Sequence, residues 1–139
     1  MLRNIYGINM GTDGLILQIQ TREEILADKW IALAFRPNRI KYRDLWDILW
    51  LDRRGVQLDA QLTLEKLKDR QQTRQNFSTA LSERINGLET QAIQQREFQA
   101  EIERFLPATD VRASIQTPEF WDFLLFTLRE NGQKLSAKS

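Results

Sequence analysis

Apolar and polar residues alternate over only one short stretch of the chain. Leu15, Leu17 and Ile19 fall on one face, with Gln18 and Gln20 on the other, the two-residue period of a half-buried strand. Gly11-Thr12-Asp13-Gly14 just before it is turn chemistry, and Ile5 to Met10 reads as a second short strand that would complete a hairpin. From Thr21 the period becomes helical. Thr21 and Glu24 have capping-box spacing, and Ile25, Leu26, Trp30, Leu33 and Ala34 recur at helical intervals. Pro37 closes the segment near Phe35, because proline disfavours the helical conformation of the residue before it. After a basic loop from Arg36 to Lys41, a second helix is expected from about Tyr42 to Arg53. Its apolar residues Leu45, Trp46, Ile48, Leu49 and Trp50 cover more than half its circumference, and Gly55 is its stop.

Between Asp59 and about Arg104 the chain is rich in Gln, Glu, Lys and Arg. Leu64, Leu67, Phe77, Leu81, Ile85, Phe98, Ile102 and Phe105 are spaced as one face of amphipathic surface helices, with Gly87 expected to separate two of them and Pro107 to end the run. Thr117-Pro118-Glu119 is a strong helix start. Phe120, Trp121, Phe123, Leu124, Leu125, Phe126 and Leu128 then predict a mostly buried last helix that stops at Gly132, with a frayed tail from Gln133. The predicted fold is mainly α, formally α+β. A short N-terminal strand or hairpin in residues 1–20 precedes a helical bundle of about five to six helices in residues 21–139, without a clear linker.

Composition narrows the chemistry. With 139 residues the chain is long enough for one self-sufficient core, and 20 Lys and Arg against 19 Asp and Glu argue neither for nor against a nucleic-acid partner. Cys and His are absent, which excludes disulfides, thiolate nucleophiles, zinc-thiolate sites and imidazole bases. Carboxylates, lysine, tyrosine, hydroxyls and an oxygen-ligated cation remain. No apolar run approaches the roughly 20 residues of a spanning helix, and Met1 to Met10 is a poor signal peptide, so no membrane role and a cytoplasmic location are expected.

Lys29 is the anomaly in this pattern. It lies four residues after Ile25 and four before Leu33, inside the apolar stripe of the first helix. An ammonium there needs either a route to water or a carboxylate. Asp44 and Asp47 share one face of the second helix, and Asp44 can meet Lys29 across the packed pair. One reading is a structural ion pair joining two helices. The other is a positive head offered to a phosphate, with an aspartate that orients it, accepts a hydroxyl proton or helps hold a metal. Arg36, Arg39, Lys41 and Arg43 are either a solvated basic loop or phosphate contacts. Trp46, Trp50 and Trp121 read as core. Glu101, Glu103, Glu119 and Asp122 read as exposed helix charges, and no glycine-rich phosphate loop is present.

The stretch Ile25-Leu26-Ala27-Asp28-Lys29-Trp30-Ile31-Ala32-Leu33, followed after the basic loop by Tyr42-Arg43-Asp44-Leu45-Trp46-Asp47-Ile48, resembles the AbiEii-type nucleotidyltransferase toxins of type IV toxin–antitoxin systems. Those proteins carry an Ala-Glu-Lys helix start and then an Arg-Asp-hydrophobic-aromatic-Asp helix; here Asp28 stands in place of the glutamate. The resemblance implies that Lys29 contacts nucleotide phosphates, that Asp44 is the acidic partner near them and that Asp47 supports the helix. Arg36, Arg39 and Arg43 are the candidate additional phosphate ligands. Family members hold their metals on an acidic pair after a Gly-Ser turn near the N-terminus. No such pair occurs here, where Asp13 stands alone, so no metal ligand is assigned. Magnesium and a nucleoside triphosphate are implied for the complete family, with none bound by this chain alone. The chain is therefore expected to be a truncated, C-terminal-half-like protein, inactive by itself. Its expected partners are an antitoxin or a missing N-terminal catalytic half, with an RNA acceptor only in the complete enzyme. The alternative is a non-enzymatic helical interaction module, in which the polar helices from Asp59 to Arg104 bind a protein partner or pair with a second copy, the N-terminal strand favouring such a homodimer.

Overall fold

Local signals start and stop most of the helices. In the computed structural model, which describes residues 20–105 and 115–137, Thr21 accepts a hydrogen bond from the Glu24 backbone N–H at 3.0 Å while Glu24 accepts one from the Thr21 N–H at 2.9 Å. This complete capping box opens α1, Arg22–Phe35. The chain leaves α1 at Arg36, turns through Asn38 at φ 71°, and enters α2, Tyr42–Arg53. Gly55, at φ 84°, ends α2: its N–H reaches the Asp52 carbonyl at 3.0 Å and the Val56 N–H reaches that of Leu51 at 3.1 Å. This is a Schellman closure, whose positive φ suits glycine.

Asp59 caps α3, Ala60–Asp69, by accepting from the Leu62 N–H, and Thr73 caps α4, Arg74–Thr90, by accepting from the Asn76 N–H. Between them Gln71 takes φ 58° in a second Schellman closure, with the Gln72 N–H on the Leu67 carbonyl at 2.9 Å. The chain continues into α5, Ala92–Glu103, and after the undescribed residues 106–114 into α6, Pro118–Ala137. Among the described residues the expected mainly helical architecture is observed as six helices, with no strand. The strands expected at 5–10 and 15–20 lie outside those residues except for Gln20, which is in no strand.

The central element is α4, which packs on α1, α6, α5 and α3, while α2 covers α1 and reaches α5. Trp30 and Leu33 of α1, Leu45 and Ile48 of α2, Leu67 of α3, Phe77 and Leu88 of α4, Phe98 and Ile102 of α5 and Leu124 and Leu128 of α6 are fully buried in one core. Aromatic rings join three helices. Trp46 stacks on Phe120 at 6.2 Å, Phe120 on Phe98 at 6.1 Å, and Phe98 meets Trp121 at 5.5 Å.

Two glycines differ from their expected roles. Gly87 does not separate neighbouring helices; it lies inside α4, and the break comes at Gln91, whose extended backbone ends one helix and caps the next. Gly132 does not stop α6. It is buried against Leu81 and Ile85 of α4, and Leu135 beyond it is buried, so packing carries the helix through to Ala137. The last helix is also less enclosed than its composition suggests, since Phe123 and Phe126 are exposed.

Candidate functional site

Lys29 is delivered by the apolar stripe of α1 to the seam with α2, where the expected Asp44 meets it and Asp47 does so as well. Its Nζ lies 3.2 Å from Asp44 Oδ1 and 2.9 Å from Asp47 Oδ2. Asp44 and Asp47 stand three residues apart on α2, so their carboxylates leave the helix on one side. The second oxygen of Asp44 is also taken: Arg36, one residue past α1, donates to Oδ2 from Nη2 at 2.9 Å and from Nε at 3.3 Å. Four charged groups thus form a neutral quartet of two cations and two carboxylates.

Burial is uneven across the quartet. The Asp44 side chain is 2% exposed, that of Lys29 25% and that of Arg36 38%. Asp44 is shut between two cations, while the Lys29 side chain is partly open to solvent. Burial alone would lower the Lys29 pKa, but the hydrogen bond and charge of Asp47, followed by those of Asp44, outweigh it and hold the pKa above the ordinary lysine value. An ammonium has three donors, and two are committed to the aspartates. Among the described residues no third acceptor meets Lys29 Nζ, which leaves one N–H for a ligand oxygen.

The other basic residues of the turn point elsewhere. Arg39 lies over the Tyr42 ring at 5.8 Å and Arg43 over the Phe105 ring at 4.5 Å, and both are exposed. The Tyr42 hydroxyl donates to Glu97 at 2.6 Å. Burial, reinforced by the Glu97 hydrogen bond and charge, pushes its pKa well above the phenol range. Arg36, Asn38, Arg39, Lys41 and Glu101 line an open groove of about 380 Å³ along the turn. Arg36 thus belongs both to the quartet and to this groove.

Asp28, adjacent to Lys29, serves a different contact. It accepts from Gln20 at 2.9 Å and from Arg70 at 3.2 Å and pairs with Lys66 at 3.3 Å, tying α1 to α3. Burial opposes its ionisation, but these hydrogen bonds and the Lys66 charge prevail and lower its pKa. Trp121 is core, as expected, whereas Trp46 and Trp50 are half-buried at the edge of an aromatic groove that also includes Phe120 and Phe123.

Sequence reasoning misses two members of the arrangement. It groups Arg36 with the basic loop, although a buried carboxylate with a single lysine partner still has an oxygen to satisfy, which points to a second cation nearby. Arg84 of α4 carries no local signal. It donates to the Leu33 carbonyl at 3.1 Å and to the Arg36 carbonyl at 2.6 Å, at the C-terminal end of α1.

Carboxylates that would hold a divalent cation are a separate matter. Among the described residues no three Asp or Glu side chains converge as metal ligands, and both oxygens of Asp44 already face cations. The Lys29 quartet does not fit magnesium.

No curated protein and no solved structure matches the chain significantly. The family profile described as nucleotidyl transferase AbiEii toxin, type IV toxin–antitoxin system, matches residues 7–125 of the 139. That span contains the α1–turn–α2 unit with Lys29, Asp44 and Asp47 and extends well beyond it, into α6. The chain belongs to the AbiEii family of type IV toxin–antitoxin nucleotidyltransferase toxins.

Proposed function

We propose that the α1–turn–α2 unit is the phosphate-contacting region of a nucleotidyltransferase and that Lys29 is its phosphate ligand. The observation that supports this most directly is the state of Lys29: charged, fixed by two carboxylates, partly open to solvent and with one donor uncommitted. A structural ion pair needs one carboxylate for one ammonium. Here a buried aspartate is shared by Lys29 and Arg36, and a second aspartate fixes Lys29 from the other side. Such an arrangement orients a donor more tightly than stability requires.

Asp44 acts as the orienting group, because both of its oxygens are occupied. Asp47 holds the ammonium from the solvent side. Since the quartet is neutral, attraction for a triphosphate comes from Arg39, Lys41 and Arg43, which are exposed around the same turn. The substrate class is a nucleoside triphosphate, and the reaction of the complete enzyme is transfer of a nucleoside monophosphate to an acceptor, with RNA one such acceptor. Metal-assisted transfer needs carboxylates that hold the ions against the triphosphate. The sequence supplies no acidic pair after a Gly-Ser turn, so this chain binds nucleotide but does not transfer it unaided. An acidic pair supplied from outside these residues would complete the reaction. Membership of a type IV toxin–antitoxin family implies an antitoxin partner.

Titration calorimetry with magnesium salts of the four ribonucleoside triphosphates tests this reading. Wild-type protein is expected to bind at least one of them, and Lys29→Ala to weaken that binding by roughly tenfold or more, the loss of a charge-assisted contact. Absence of binding by wild type, or equal binding by Lys29→Ala, would overturn it. A second reading, a binding module without chemistry, draws on the exposed Phe123 and Phe126 beside the aromatic groove. Sedimentation of the chain at rising concentration addresses it, because a monomer throughout counts against self-association.

A further inference from the structure

We infer that Arg84, on α4, is a positioning residue for the Lys29 site, acting through the backbone of the turn that carries Arg36; the inference rests on the reading of Lys29 as a phosphate ligand. The final carbonyls of a helix have no partner within it, and they carry the negative end of its dipole. At the end of α1 this problem is acute. Pro37 follows Arg36 and has no N–H to return, and Asn38 takes a left-handed conformation that carries the chain away. No basic residue lies in the last turn of α1 itself. The cation comes from 48 residues further along the chain: Arg84 spans the Leu33 and Arg36 carbonyls with its two terminal nitrogens, at 3.1 and 2.6 Å.

The Arg36 carbonyl and the Arg36 guanidinium belong to one residue, so fixing the first restricts the second. That guanidinium closes Oδ2 of Asp44, and Oδ1 of the same carboxylate holds Lys29. A continuous series of hydrogen bonds and one backbone segment therefore connects α4 to the Lys29 head: Arg84, Arg36, Asp44, Lys29. Without Arg84, the Arg36 turn loses its anchor, Asp44 keeps only Lys29 as a fixed partner, and the ammonium is drawn toward the buried carboxylate and away from the surface. The Arg84 guanidinium touches neither Asp44 nor Lys29 in this arrangement, so its effect is indirect.

A second contact of α4 supplies the control. Glu89 and Asn86 on α4 hold Arg129 of α6, at the opposite side of that helix's contacts from α1. Arg84→Gln and Arg129→Gln each remove an interhelical arginine contact made with α4, but only the first is connected to Lys29. Two measurements separate position from stability. The first is the Arg36 side-chain Nε–Hε resonance in nitrogen-15-labelled protein, which is sharp and protected from solvent exchange when the guanidinium is fixed on a carboxylate. It should be retained in wild type and Arg129→Gln and lost by broadening or exchange in Arg84→Gln, with far-ultraviolet dichroism showing all three folded. The second is calorimetric affinity for the magnesium nucleoside triphosphate that wild type binds best. Arg84→Gln should weaken it roughly tenfold, as loss of an outer supporting contact does, and Arg129→Gln should leave it unchanged. Arg84→Lys, which restores a cation to the α1 carbonyls, should recover some of both signals. An Arg36 resonance undisturbed in Arg84→Gln overturns the inference, as does equal loss of affinity in Arg84→Gln and Arg129→Gln. If nucleotide binding is absent or indifferent to Lys29→Ala, the phosphate reading falls instead, while the Arg36 resonance still decides whether Arg84 positions the quartet.

Discussion

At the residue scale, the quartet has an asymmetry that stability measurements expose. Asp44 is the buried member with two cationic partners, whereas Lys29 and Arg36 each reach solvent. Removing Asp44 leaves Arg36 without a carboxylate and Lys29 with Asp47 alone, and breaking a buried pair from one side costs about 3–5 kcal/mol. Asp44→Ala is therefore expected to lower unfolding free energy by about 3 kcal/mol, and Lys29→Ala by clearly less, both read from urea transitions at neutral pH. The reverse order would show that Lys29 is the group kept from water. The pH dependence has a definite sign. Folding raises the Lys29 pKa, so its contribution is fully present below the ordinary value of 10.5 and fades as pH climbs through the folded value. Tyr42 acts in the same direction: its phenol ionises more easily in the unfolded chain, so stability falls once pH passes the ordinary value of 10.0. Tyr42→Phe should flatten some of this alkaline loss, and Lys29→Met the remainder. Asp28 contributes on the acid side, as does Glu89 through Arg129: the lowered pKa of Asp28 makes its contribution present above 3.8 and lost as pH falls through the folded value. Asp28→Asn should shallow the acid limb of the stability profile and leave the alkaline limb intact.

At the element scale, helix ends offer sharper tests than helix interiors. Gln71 occupies a left-handed position in the closure of α3 where Gly55 stands in the equivalent closure of α2. A side chain at that conformation costs roughly 1 kcal/mol, so Gln71→Gly should stabilise the protein by about 0.5–1 kcal/mol in thermal unfolding. A destabilisation would mean that the Gln71 side chain makes a contact worth more than its strain. Gly132→Ala should also stabilise, by about 0.5–1 kcal/mol, because a Cβ there meets Leu81 and Ile85 at 3.5 and 3.7 Å, ordinary contact, and alanine suits a helix interior better. These same positions mark where the sequence is readable. The limits of α1 and α2 follow from Thr21, Glu24, Pro37 and Gly55, since caps and stops are local chemistry. The end of α3 carries no glycine. Gly87 and Gly132 read as breaks but are not, because a helical glycine costs only about 1 kcal/mol, which packing against neighbouring helices readily offsets. Lys29 and Asp44 are legible from helical periodicity. Arg36 is not, because its direction depends on a turn beyond the helix, and Arg84 is not, because its partners lie 48 and 51 residues away.

At the scale of the whole molecule, α4 links the elements that the sequence presents separately. It lies against α1, which carries Lys29, and against α6, and it sends Arg84 to one and receives Arg129 from the other. The Lys29 site is thus built on the core and not on a detachable edge: Trp30 and Leu33, close neighbours of Lys29 on α1, are fully buried in the cluster that also contains Phe77 and Leu88 of α4. A ligand that binds such a site must stabilise the fold as a unit, because the site exists only when α1, α2 and α4 are packed together. A nucleoside triphosphate at about one hundred times its dissociation constant should add about 2.7 kcal/mol to unfolding free energy. In a thermal scan this appears as one transition that moves upward with nucleotide concentration, followed equally by helical dichroism and by emission from the buried Trp30 and Trp121. Lys29→Ala should abolish the shift while keeping a single transition. A shift that persists in Lys29→Ala would place the nucleotide away from the α1–α2 seam. If only one of these probes moves, binding stabilises a segment of the chain that unfolds independently of α4, contrary to the shared core.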